Sequence, residues 1–175
     1  MKRLVTFFLL VFAFHLHANS APWDQVVRCG TGWWVLHHRN FGMEKTTVSM
    51  PHTPVVTQNG LMSTATAWSG LSCYTFTGYY PPISNIDVRA FFDEILFSMS
   101  TYPYVLDQHR IYENTSGNWV LEYVARDVYS HLVIQSFSVV SPFNAYTLQC
   151  THPYGISDNY TYFRDSFQIF CEYGY

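Results

Sequence analysis

WVLEYVARDVYSHLVIQSFSVV, Trp119 to Val140, is the stretch whose reading decides the fold. Trp119, Leu121, Tyr123 and Ala125 fall on one side of an extended chain at period two, the pattern of a half-buried strand. Arg126-Asp127 interrupts the run with charge. Beyond it, Leu132, Val133, Ile134, Phe137 and Val139 resume a composition rich in β-branched and aromatic residues, which suits a pleated surface. Ser141-Pro142-Phe143-Asn144 is turn-prone, and a third apolar run, Ala145 to Leu148, follows. Three strands in chain order make an antiparallel meander. Such a sheet must cover one face and protect its edges, and closure into a barrel does both.

Working upstream, Asn114 to Asn118 reads as a turn and Tyr104 to Tyr112 as a strand. The segment near 85–98 predicts a helix, capped at Ser84 with Asp87 three residues on, and stopped by Tyr102-Pro103. Its charges, Asp87, Arg89, Asp93 and Glu94, do not share a face. Leu71 to Tyr79 and Leu61 to Trp68 read as strands joined at Ser69-Gly70. Asn59-Gly60, between apolar flanks, predicts a tight hairpin turn with positive φ. Thr46 to Met50 and Pro54 to Thr57 form a strand interrupted by Pro51-His52-Thr53-Pro54, which confines it to an edge or a bulge. Gly30 to Arg39 opens the series. Downstream, Phe163, Phe167, Phe170 and Cys171 recur at helical spacing and predict a short C-terminal helix. About eight strands in sequential hairpins give the expected fold: all-β, an eight-stranded antiparallel up-and-down barrel with a helix at its end.

The first 20 residues stand apart. Lys2-Arg3 precede an apolar run, Leu4 to Leu16, and then the small residues Ala18, Ser20 and Ala21. That order predicts a secretory signal peptide over residues 1–20. The apolar run is shorter than the ~20 residues that span a bilayer, so no integral membrane anchor is expected. With no internal repeat and no low-complexity linker, residues 21–175 read as one domain, exported and extracellular. Without Lys2 and Arg3 the basic count falls from 9 to 7 against 12 acidic residues, a formal charge of −5. The arginines are scattered singly and Lys45 is the one lysine beyond the leader, so the clustered basic face that nucleic acid requires is missing. Four cysteines in such a chain predict two disulfides. Asn114-Thr115-Ser116 and Asn159-Tyr160-Thr161 are glycosylation sequons at Asn114 and Asn159.

Taken together, the motifs resemble the lipocalins. Gly32-Trp33-Trp34 stands where that family carries G-x-W at the start of its first strand, with Gly32 and Trp34 as the matching pair. Trp119-Val120-Leu121, then Asp127-Val128-Tyr129 and Leu132-Val133-Ile134, resemble its second block. Thr147 to Pro153 is similar to its third. The interval from Tyr80 to Trp119 also resembles the lipocalin-like domain of violaxanthin de-epoxidase. The third block's Arg is missing: Gln149 and Cys150 occupy its neighbourhood, and Arg164 is a distant substitute. The Cys-rich and Glu-rich regions that accompany the de-epoxidase domain are absent, so its activity does not carry over. The resemblance implies a closed barrel, which would set Cys29 beside Cys150 and leave Cys73 for Cys171, similar to the bridge commonest among lipocalins. Sequence alone permits three pairings.

Chemistry-bearing motifs are scarce. The chain has no G-x-S-x-G, P-loop or H-E-x-x-H. His37 and His38 are adjacent on a strand and face opposite sides, so they cannot chelate one metal together. His109, His131 or His152 inside a barrel has the chemistry of a haem ligand, but a lone His is more often a hydrogen-bonded structural residue. Asp93-Glu94 and Asp107 read as a solvated face. No metal, no cofactor and no catalytic residue are expected. The aromatic residues carry the expectation instead. Trp68, Tyr74, Phe76, Tyr123 and Phe137 lie on predicted strands and would line the barrel, where they would bind a small hydrophobic molecule. The alternative is a protein partner met by the outer aromatic surface and by the segments Pro51 to Pro54 and Tyr79 to Pro82.

Overall fold

The computed structural model describes residues 23–28, 34–39, 44–79, 87–142 and 144–171. Strands β1 (Trp23–Arg28), β2 (Trp34–Arg39) and β3 (Glu44–Met50) pair antiparallel in chain order, the first two described by their backbone. A short C-terminal strand completes this four-stranded sheet at the free side of β3. Along β3, Glu44, Thr46, Val48 and Met50 are all buried, one side of the strand at period two. Pro51 to Pro54 then separates β3 from β4 (Val55–Asn59), so the interrupted strand of the sequence is two strands in two different sheets.

β4, β5 (Met62–Ser69) and β6 (Ser72–Tyr79) form a meander turned by glycine. Asn59 pairs with Met62 and Ser69 with Ser72, so the two-residue loops are Gly60-Leu61 and Gly70-Leu71. Both glycines have φ of 57°, at the first loop position. The positive-φ glycine expected at Asn59-Gly60 is therefore present, with the loop set one residue further on. A side chain at that φ is strained, which favours glycine at both turns.

Past β6 the chain departs from a hairpin series. Helix α1 (Val88–Met99) starts at Asp87, whose carboxylate accepts from the Ala90 amide at 3.0 Å. That cap differs from the expected Ser84, which lies outside the described residues. α1 carries the chain across the sheet to β7 (Tyr104–Glu113) at the far edge. From there β8 (Trp119–Asp127), β9 (Val133–Val140) and β10 (Ala145–His152) return strand by strand until β10 pairs with β6. The resulting sheet has seven antiparallel strands in the order β4-β5-β6-β10-β9-β8-β7. The meander read from Trp119 to Val140 is present, turning at Asp127, whose carboxylate accepts from the Tyr129 amide at 2.8 Å.

The fold is thus mostly β and antiparallel, but the sheet is open rather than an eight-stranded closed barrel. The reason is the helix. A barrel in chain order needs β6 to pair with β7. The long connection instead lays α1 over the sheet, burying Phe92 and Met99 against Leu121, Tyr123, Ala125 and Ile134. Burial of each such large side chain is worth about 1.5–3 kcal/mol. Helix α2 (Tyr160–Asp165) and β11 (Gln168–Cys171) end the chain. The predicted C-terminal helix therefore stops at Asp165, and the segment holding Phe170 pairs with β3 as a strand.

The two sheets stack. The face of the seven-stranded sheet opposite α1, called here the back face, meets β3 and α2. Val48, Met50, Tyr74, Phe76, Tyr146, Leu148 and Phe163 make that core. The face toward α1, the front face, is covered over β8 and β9 and open over β4, β5 and β6.

Candidate functional site

The five residues expected to line one cavity are shared between the two faces. Tyr74, Phe76 and Phe137 point to the back face, and Tyr123 to the front. Tyr74 and Phe76 are fully buried among rings: Phe163 lies 5.4 Å from Tyr74, and Tyr146 and Phe167 lie 6.2 and 5.7 Å from Phe76. Tyr123 sits under α1, and burial pushes its hydroxyl up to about 12. Trp68 is 60% exposed on the front face, next to Val55 at 69%. No common wall joins the five.

The other expected sites fall as follows. Gly32 and Cys29 lie outside the described residues, as does the signal-peptide segment. Trp34 starts β2, opposite Met50. Cys73 and Cys150 carry no bridge. They belong to neighbouring strands, yet Cys150 is opposite Tyr74 and Cys73 opposite Thr151, so they face opposite sides of the sheet. The side chains of their expected partners, Cys29 and Cys171, are outside the described residues. The Asn114 side chain accepts from the Ser116 and Asn118 amides, both at 3.0 Å, and so builds its own turn. Asn159 is exposed before α2 and makes no capping hydrogen bond. His109 and His131 are exposed, and no metal-ligand cluster occurs among the described residues.

One end of the back face carries a chain of polar groups. Ser72 Oγ lies 2.8 Å from His152 Nδ1, and Tyr74 Oη lies 2.8 Å from Ser157 Oγ. The Ser157 amide donates to Gln135 Oε1 at 2.8 Å. The serine–histidine distance is that of a nucleophile and its base. However, Ser72 is buried, and no carboxylate orients the imidazole among the described residues. Burial pushes the nearby Cys150 thiol up to about 11, away from the thiolate a nucleophile needs. This cluster ties the 153–159 loop to the sheet.

A second polar group of residues borders open space. A cleft of about 390 Å³ lies between α2 and the β7–β8 edge of the back face. Arg110 on β7 and Glu122 on β8 are directly opposite in the ladder. Arg110 Nε and Nη2 both approach Glu122 Oε2 at 2.6 Å. The Tyr112 hydroxyl donates to Oε1 at 2.9 Å, and the Arg110 guanidinium stacks 5.0 Å over the Tyr112 ring. Arg164, from α2, brings Nη1 to 3.7 Å from Oε1. Tyr160 lines the same cleft at 7% exposure, and its hydroxyl finds no partner among the described residues. Burial raises its phenol far above the usual range, with the Glu122 charge adding to the shift. No local sequence pattern marks this site. In the sequence Arg110 and Arg164 are isolated charges; the register that sets Arg110 opposite Glu122 follows a bulge between Leu106 and Gln108, and Arg164 arrives from α2.

No protein-family model matches the chain, and no curated protein matches it. The lipocalin resemblance rests on the quoted motifs alone.

Proposed function

We propose that this chain is a secreted binding protein, without a catalytic step, that meets a protein partner on the open part of its front face. The observation that carries the reading is the placement of Trp68. This large indole is 60% exposed, beside Val55 at 69% and just before the exposed Leu71 of the β5–β6 loop. An apolar anchor ringed by hydroxyls is the usual anatomy of a recognition patch. Here Thr66 and Thr75 form the next row along the strands from Trp68, and Thr57, Thr64 and Thr77 the row beyond, all on the same side of β4, β5 and β6 as Trp68. No Asp, Glu, Lys or Arg lies on that side of these three strands.

The carrier reading, a small hydrophobic molecule held inside a barrel, needs a shared cavity. Trp68, Tyr74, Phe76, Tyr123 and Phe137 offer none among the described residues, which favours the recognition reading. Among the described residues no helix is long and apolar enough to cross a membrane. Photocrosslinking in the producing culture tests the proposal. A photoreactive residue at position 68 should capture a discrete polypeptide that the same residue at Arg89, exposed on α1, does not. Equal capture at both positions, or none at 68, counts against it. Saturable one-to-one uptake of a fluorescent fatty acid, unchanged by Trp68→Ala, would restore the carrier reading.

A further inference from the structure

We propose that the cleft between α2 and the β7–β8 edge is a binding site for the oxyanion group of a small molecule, a carboxylate or a phosphate. The Glu122 and Gln135 acceptors that border the cleft are engaged. Glu122 Oε2 takes two bonds from Arg110, and Oε1 takes the Tyr112 hydroxyl. Gln135 Oε1 takes the Ser157 amide. The donors are not. Arg164 spends Nε on Asp165 at 2.8 Å, while its Nη1 stands 3.7 Å from Glu122, beyond hydrogen-bond length. The Tyr160 hydroxyl is buried without a partner among the described residues.

A buried hydroxyl left unpaired costs about 1–3 kcal/mol, and an acceptor bound in the cleft would recover that cost at Tyr160. Donors gathered around a half-buried guanidinium complement a group that accepts and does not donate. Oxyanions do this, and a planar carboxylate or a phosphate matches the arginine fork. Glu122 has a supporting part. It holds the Arg110 guanidinium by two bonds and draws Arg164 towards the cleft by charge, while Asp165 holds the Arg164 Nε. The cleft volume falls within the range of small-molecule sites. The bland alternative is that Arg164 simply anchors α2 to the sheet.

The test uses the full chain, with inorganic phosphate and succinate as probes at constant ionic strength, followed by calorimetry and amide chemical shifts. We expect saturable one-to-one binding of at least one probe, with shifts at Tyr160 and Arg164. Arg164→Gln should weaken it by about tenfold or more, the loss of a charge-assisted hydrogen bond. Arg89→Gln should leave it unchanged. Tyr160→Phe separates a ligand site from a structural anchor. It should weaken probe binding severalfold while leaving the unliganded protein as stable as before or more so. Absence of saturable binding with both probes overturns the proposal, as does equal affinity in native and Arg164→Gln protein.

Discussion

Glu44 and Tyr146 join the two sheets: the Tyr146 hydroxyl donates to Glu44 Oε2 at 2.8 Å, across 102 residues of sequence. Ser141 Oγ and Asn144 Nδ2 donate to the same oxygen, each at 2.8 Å. Glu44 is 1% exposed, so its charge is out of water and depends on these donors. Glu44→Ala should destabilise the protein by on the order of 3 kcal/mol, because it leaves several buried donors unpaired. Glu44→Gln keeps a carbonyl acceptor and should cost about 1 kcal/mol. Chemical denaturation of both variants checks this. Losses below about 0.5 kcal/mol in both would mean that the sheets are held together otherwise.

Trp68 and Phe76 belong to one expected set and should behave oppositely. Phe76→Ala empties a fully buried site between rings and should cost about 3–5 kcal/mol. Trp68→Ala removes an exposed ring and should change stability by about 0.5 kcal/mol or less. Denaturation midpoints decide the matter. Similar losses at the two positions would mean that Trp68 is packed inside.

Alkaline conditions should weaken the fold. Burial pushes Cys150 up to about 11 from 9.0, and Tyr123 up to about 12 from 10.0. The folded state holds these protons where the unfolded chain has released them. Their contribution is complete below the unfolded values and is lost as pH rises through the folded ones. Unfolding free energy should therefore fall between pH 9 and 12, and Cys150→Ala should flatten the first part of that fall. A flat native profile would contradict this, as would an unchanged slope in the variant.

The Asp127 turn should be fragile. Its carboxylate accepts from the Tyr129 amide at 2.8 Å, and His131 follows in the left-handed region at φ 56°. Asp127→Ala should cost about 1 kcal/mol, measured by thermal or chemical unfolding. A neutral result would mean that strand pairing alone fixes this turn.

What the sequence disclosed was local. The alternation of Trp119 to Ala125, the turn at Asp127 and the positive-φ glycine after Asn59 depend on neighbours in the chain. What stayed hidden was long-range. Tyr79 meets Ala145 because α1 takes the chain past three strands, and nothing in either strand's composition names its partner. The spacing of Phe163, Phe167 and Phe170 satisfies a helix. Yet Phe170 is in a strand, because the unpaired edge of β3 lies beside it. The cleft was hidden for the same reason. Arg110, Glu122 and Arg164 converge through a ladder register and a docked helix, and each reads alone as a solvated charge.

The open sheet is the centre of the account, and one crosslink tests it most directly. Thr77 on β6 is opposite Thr147 on β10, whereas Ile111 on β7 lies in the same row, four strands away. Four strand spacings are roughly 19 Å, far beyond a disulfide. Thr77→Cys with Thr147→Cys should oxidise to a bridge mapped by mass spectrometry, and Thr77→Cys with Ile111→Cys should not. A bridge between 77 and 111, with none between 77 and 147, would mean that β6 pairs with β7 and the chain closes as a barrel.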